Sequence, residues 1–191
     1  MTDKRREFWT VANMFTMLRV VLLVPLSISL FHLDEWGWIP PVAIGVIMIL
    51  TDLVDGPLAR RLHQITWTGG ILDTIADKVI LFTLSLILAI LGLFPYYFAI
   101  FLGLRYISLG IVGLRYIKRE KKLLKPTFIG RITELFWGIS YILAVLKLVG
   151  GLQWLNIAMW VSALLALLLA MISTIVYFIK FISGKEGAPA E

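Results

Sequence analysis

Apolar runs broken by short polar or turn-forming stretches divide this chain into six segments: 13–32, 38–60, 71–93, 95–117, 128–149 and 153–180. Each approaches or exceeds the roughly 20 mostly apolar residues that a helix needs to cross a bilayer core. The breaks carry their own signals. "HLDEWGWIPP" holds Asp34, Glu35 and paired prolines, and "LGLFP" holds Gly92 and Pro95. "KREKKLLKP" is a basic run ending in Pro126, and "KLVGGLQ" contains a glycine pair. Trp36, Trp38 and Trp154 stand beside these breaks, where amphipathic rings favour a membrane–water interface. The pattern predicts an all-α integral membrane protein with six transmembrane helices over residues 13–182. Residues 1–12, with Phe8 and Trp9 following a basic start, read as a short amphipathic helix in the headgroup layer. Residues 183–191 read as a disordered tail.

Charge adds an orientation. With six spans, both ends of the chain and the second and fourth connections share one side. That side receives Lys4, Arg5, Arg6, Arg60, Arg61, Lys118, Arg119, Lys121, Lys122, Lys125, Arg131, Lys180 and Lys185, while Lys147 lies on the other. The positive-inside rule makes the richer side cytoplasmic, with the plasma membrane as the expected location. Composition agrees: 60% of the 191 residues are hydrophobic and 16% charged, and the mean hydropathy is +0.91. The net charge of +6 is then read as loops facing anionic headgroups or substrates, not nucleic acid. With no cysteine and with His32 and His63 far apart, neither a disulfide framework nor a zinc site is expected.

The polar chemistry is concentrated in "DLVDGPLARRLHQITWTGGILDTIAD", residues 52–77. Between Trp36 and Ile117 the only acids are Asp52, Asp55, Asp73 and Asp77. Spacings of three and four residues put each pair on one helical face. A short connection predicts that the second and third spans are antiparallel neighbours whose acidic faces converge. Four carboxylates in a partly desolvated place repel, and they call for a cation among them. Hard divalent ions such as Mg²⁺ or Mn²⁺ suit all-oxygen ligation. Gly56 and Ala59 share the arc of Asp52 and Asp55, and Gly69 and Gly70 precede Asp73, so a bulky ligand can approach the backbone. Arg60 follows, with a guanidinium suited to phosphate. The plainer reading is that intramembrane acids pair with Arg or Lys, or line an ion path. Regular spacing of all four beside glycines argues against it.

These residues resemble the signature D-x2-D-G-x2-A-R-x8-G-x3-D-x3-D of the CDP-alcohol phosphotransferases, membrane enzymes of phospholipid synthesis. Asp52, Asp55, Gly56, Ala59, Arg60, Gly69, Asp73 and Asp77 occupy its positions, and "NMFTMLRVVLLVP" resembles the family's first span. The resemblance implies transfer of a phosphatidyl-type group from a CDP-linked lipid to an alcohol, with release of CMP. It implies Asp52, Asp55 and Asp73 as ligands of two divalent ions, and Asp77 as general base that also touches metal. Gly56, Ala59, Arg60 and Gly69 become contacts of the cytidine nucleotide. A homodimer is implied as well.

"DGPLARRLHQITWTGGILDTIADKV" is most similar to phosphatidylglycerophosphate synthases, although Thr74 stands where that group commonly has proline. The expected acceptor is therefore glycerol 3-phosphate. "LLKPTFIGRITEL" resembles cardiolipin synthases of the same superfamily, which makes phosphatidylglycerol the alternative acceptor. Arg105, Lys125 and Arg131 are the candidate ligands of an acceptor phosphate. Arg105 is the most telling, because an Arg within "FAIFLGLRYISLGIVGLRY" is costly without an anion; its plainer reading is an ion pair with the aspartates. Lys78 either neutralises the cluster or snorkels. Arg19 reaches either the same pocket or the interface. Two other classes use intramembrane acids: prenyltransferases, whose acid spacing differs, and cation transporters, which would move ions without releasing CMP.

Overall fold

The computed structural model describes residues 10–61, 66–120, 127–150 and 153–183. Among these residues the structure is entirely helical. The expected helix over 1–12 and the tail over 183–191 lie almost wholly outside the described residues. The described residues form seven helices in order: α1 (Val11–Phe31), α2 (Leu33–Trp36), α3 (Ile39–Arg61), α4 (Trp67–Ile90), α5 (Tyr96–Glu120), α6 (Phe128–Gly150) and α7 (Gln153–Ser183). Five of them, α1, α3, α5, α6 and α7, are long and apolar enough to cross a membrane. The 24-residue α4 matches them in length but carries Asp73, Asp77 and Lys78 in its first half.

Local chemistry sets the helix ends. Thr10 caps α1, its hydroxyl accepting from the Asn13 N–H at 3.3 Å. Thr66 caps α4 through the Gly69 N–H at 3.0 Å, and Thr127 caps α6 through the Gly130 N–H at 3.1 Å. Gly37 ends α2 at φ 69°, a left-handed conformation that a side chain would strain. Gly92 does the same after α4 at φ 73°, where the Gly92 N–H bonds to the Ala89 carbonyl and the Leu93 N–H to Leu88. This closes α4 before Pro95 can continue it. The expected boundary at "LGLFP" is thus an αL cap.

The chain divides into two compact units, Met1–Ile87 and Leu88–Glu191. In the first, the most extensive backbone packing is α1 against α3. The expected convergence of acids from the second and third long helices, α3 and α4, is present, and it is made through a residue of α1. Carboxylates on both helices need a cation between them, and that cation is carried by α1.

In the second unit α6 and α7 form a tightly packed hairpin. Along α7 the buried positions are Leu155, Met159, Ser162, Ala163, Ala166, Ala170, Ser173 and Tyr177, a seam of mostly small residues that lets backbones come close. α6 offers Thr133, Trp137, Ser140, Tyr141 and Ala144. Trp137 is packed edge-on by Phe98, with centroids 5.8 Å apart, and Phe94 meets Tyr141 and Trp160 at 6.2 and 5.9 Å. Such aromatic pairs add about 0.5–1.5 kcal/mol each beyond area burial. Large apolar side chains such as Leu164, Leu168 and Ile172 stay exposed, as lipid-facing positions do.

Because Ala166 is fully buried in this seam, Ala166→Leu should destabilise the detergent-solubilised protein by about 1–3 kcal/mol through overpacking. The exposed Leu164→Ala should change stability by within about 0.5 kcal/mol. Thermal unfolding followed by circular dichroism distinguishes the two.

Candidate functional site

The site belongs to the first unit and starts from α1. Thr10, Asn13, Thr16 and Arg19 recur every third residue and are all buried, forming a polar strip that slants along an otherwise apolar helix. Such groups are expensive in an apolar environment unless they are bonded. Arg19 and Thr16 bond the aspartates of α3 and α4, Asn13 lies against Gly69 at the start of α4, and Thr10 caps α1.

Arg19 is central. Its side chain is 4% exposed and its two terminal nitrogens reach all four aspartates. Nη1 donates to Asp52 Oδ1 and, at 2.9 Å, to Asp77 Oδ1. Nη2 donates to Asp55 Oδ2 at 2.8 Å and to Asp73 Oδ1 at 2.6 Å. Each nitrogen therefore joins one acid of α3 to one acid of α4. Thr16 Oγ1 adds a long bond to Asp73 Oδ1 at 3.4 Å. Asp55 is the innermost acid, with a side chain 13% exposed, whereas Asp52, Asp73 and Asp77 are 57%, 46% and 41% exposed. The cluster is closed on the α1 side and open opposite, which admits a ligand to three of its acids.

The convergence expected from the spacing is present, and so is the ion pairing of the plainer reading. One guanidinium, however, carries a single positive charge against four carboxylates. Asp52, Asp55 and Asp73 each offer a carboxylate oxygen, and these oxygens lie within 4.8 Å of one another. An all-oxygen, strongly anionic donor set already gathered around a cation fits Mg²⁺ or Mn²⁺. Asp77 joins the group through Arg19.

The glycines differ in what they permit. A Cβ on Gly69 would fall 2.5 Å from Asn13 Oδ1 and 2.8 Å from Thr66 Oγ1, so its bareness lets the start of α4 seat against α1. A Cβ on Gly56 would meet open space, which leaves room for a ligand beside Asp52 and Asp55. Pro57 follows, and without an N–H it cannot donate to the Leu53 carbonyl, loosening α3 next to the cluster. Ala59 and Arg60 lie in the last turns of α3, and their side chains fall outside the described residues, as does Lys125. Thr74 Oγ1 donates to the Gly70 carbonyl at 2.8 Å, the acceptor that a proline here would leave without its N–H. Lys78 Nζ reaches the Thr74 carbonyl at 3.5 Å.

Arg105 and Arg131 belong to the second unit. Arg131 is exposed on the first turn of α6. Arg105 is 4% exposed within α5, its Nε and Nη1 have no hydrogen-bond partner among the described residues, and its guanidinium carbon lies 5.9 Å from the Tyr106 ring centroid. Within the first unit it is Arg19 that forms ion pairs with all four aspartates. Ser173 Oγ on α7 is also buried without a partner. Sequence reasoning left Arg19 undecided and passed over Asn13 and Thr16. The available signal was three polar residues at a spacing of three in the first apolar run.

Comparison with known proteins places these residues in context. Residues 9–179 match the family described as CDP-alcohol phosphatidyltransferase. A CDP-diacylglycerol--glycerol-3-phosphate 3-phosphatidyltransferase of Aquifex aeolicus is 34% identical over 173 residues, covering 89% of this chain and 94% of that protein. The Pseudomonas fluorescens protein of the same name is 43% identical over 70 residues, covering 36% of the chain and 35% of that protein. A Mycobacterium bovis protein provisionally named as a cardiolipin synthase is 30% identical over 93 residues, covering 48% and 43%. With the aspartate signature gathered in its first unit and the match running through most of its length, the chain belongs to the CDP-alcohol phosphatidyltransferase family.

Proposed function

We propose that the chain transfers the phosphatidyl group of CDP-diacylglycerol to glycerol 3-phosphate, giving phosphatidylglycerophosphate and CMP. The observation that carries this reading is the likeness to the Aquifex aeolicus enzyme over 94% of that enzyme's length, whereas the cardiolipin-synthase match spans 43% of its counterpart. Asp52, Asp55 and Asp73 are the residues to hold divalent ions, two by family resemblance. Bound there, such ions would screen the donor diphosphate and stabilise negative charge on the departing CMP.

The remaining chemistry belongs to the chain itself. Asp77, 41% exposed at the open side, takes the proton of the acceptor hydroxyl. The hydroxyl oxygen bonds to the lipid-side phosphorus as the bond from that phosphorus to CMP breaks, and CMP leaves with its electron pair. No covalent enzyme intermediate is needed. Thr16 bonds Asp73, and Arg19 positions Asp73 and Asp77 until divalent ions bind. The open space beside Gly56 supports its role against the nucleotide, together with Ala59 and Arg60. Gly69 is assigned to the nucleotide by the same resemblance.

Arg105 is the proposed ligand of the acceptor phosphate, supported by two buried nitrogens that have no hydrogen-bond partner among the described residues. A guanidinium in an apolar helix is stabilised by a dianion and suited to bidentate recognition. Lys125 and Arg131 are its proposed companions. We also infer that α4 is a sixth span, that the aspartates face the cytoplasm as the excess of basic residues on that side directs, and that the protein is a homodimer.

Purified protein given CDP-diacylglycerol, Mg²⁺ and glycerol 3-phosphate should release CMP, and chelation should abolish the release. Phosphatidylglycerol replacing glycerol 3-phosphate as the productive acceptor would move the assignment to the cardiolipin branch. Asp77→Asn should lower kcat by about 10²–10⁴ with little change in the KM for the CDP-lipid. Arg105→Gln should raise the KM for glycerol 3-phosphate about 10–100-fold, the worth of one or two charged hydrogen bonds, and leave the KM for the CDP-lipid unaltered.

A further inference from the structure

Arg19 occupies the position that the proposed metal reading reserves for a cation. Its Nη2 lies between Asp55 Oδ2 and Asp73 Oδ1, at 2.8 and 2.6 Å, and its Nη1 bonds Asp52 Oδ1. Asp52, Asp55 and Asp73 are the acids whose oxygens are close enough to share one ion. Mg²⁺ takes its oxygen ligands at about 2.0–2.1 Å, so an ion shared by these carboxylates would need the volume that the two nitrogens fill. Like charges at such separations also repel strongly in a partly desolvated place. The guanidinium and the ion therefore compete for the same oxygens.

We propose that Arg19 is the resident cation of the metal-free aspartate cluster and is exchanged out of it when divalent ions bind. This rests on the reading of the cluster as a metal site and adds to it. Without any cation the four carboxylates would push α3 and α4 apart. With Arg19 bridging an acid of each helix through each nitrogen, the donor set is held assembled before the ions arrive. Arg19 Nε is buried and has no hydrogen-bond partner among the described residues, so the four aspartates at its tip are what hold the guanidinium. That arrangement makes the side chain exchangeable. Once the ions take over the carboxylates, nothing bonded to Nε holds the guanidinium back.

The exchange has a thermodynamic signature. An internal competitor weakens apparent metal affinity by the fraction of molecules in which it has left the cluster. If that fraction is about 10%, the weakening is about tenfold. Arg19→Gln removes the competitor and the counter-charge together. Full-length protein in detergent would be titrated with Mn²⁺, reading free Mn²⁺ by electron paramagnetic resonance, and melted with and without Mg²⁺. Arg19→Gln should bind Mn²⁺ about tenfold more tightly than the unsubstituted protein. Its melting temperature should fall in chelator and rise with Mg²⁺ by more than that of the unsubstituted protein. Arg19→Lys, with a single ammonium that cannot bridge four acids, should fall between them. It serves in place of Arg19→Gln if that variant fails to fold. Equal or weaker Mn²⁺ binding by the folded variants overturns the exchange while leaving the metal site standing. Absence of Mn²⁺ binding by every protein, the unsubstituted one included, overturns the metal site and the exchange together.

Discussion

A single guanidinium set among four carboxylates is the constraint on which the first unit depends. Acids at the edge of an apolar environment are tolerated only with a counter-charge, and Arg19 on α1 supplies it from the side that is closed to solvent. Several features follow from bringing that side chain to the right height. α1 packs along α3, and its polar strip turns toward the acids. Gly69 is bare because Asn13 lies where its side chain would be, and Thr66 both caps α4 and fills the other side of that contact. The charge left uncompensated is what makes the cluster a candidate for divalent ions.

The second unit answers a different problem. Lipid gives no hydrophobic drive for apolar helices to associate, so close packing has to do it. Ala163, Ala166 and Ala170 let α7 approach α6, while Phe94, Phe98, Trp137 and Trp160 fill the space around them. The Thr127 N–H donates to the Tyr177 hydroxyl at 3.0 Å and ties the start of α6 to α7. Within this well-packed body Arg105 and Ser173 keep buried polar atoms with no hydrogen-bond partner among the described residues, while Glu134 lies within electrostatic reach of Arg105.

Much of this was legible from residues alone, for physical reasons that can be named. Apolar length separates membrane helices from loops, so five of the six expected spans and most of their ends recur as long apolar helices, and Gly92 before Pro95 marks a real helix C-cap. The spacing of Asp52, Asp55, Asp73 and Asp77 carries their convergence, because helical periodicity alone puts each pair on one face. The identity of the cation between them was not legible. Arg19 lies 33 residues from Asp52 in sequence, and nothing local says which face of α1 meets α3. For the same reason nothing local announces that α1 packs along α3. Gly69 shows a further limit, since its missing side chain serves the fold as well as any ligand.

The central claim is that carboxylates from α3 and α4 act together on a cation to make phosphatidyl transfer possible. The most direct test follows CMP release from CDP-diacylglycerol and glycerol 3-phosphate as Mg²⁺ is titrated, for the unsubstituted protein and for Asp73→Asn. Release that saturates with Mg²⁺ in the first and is lost in the second, with both proteins folded, is the predicted result. Release by Asp73→Asn at the normal rate, or undiminished release in chelator, would contradict it.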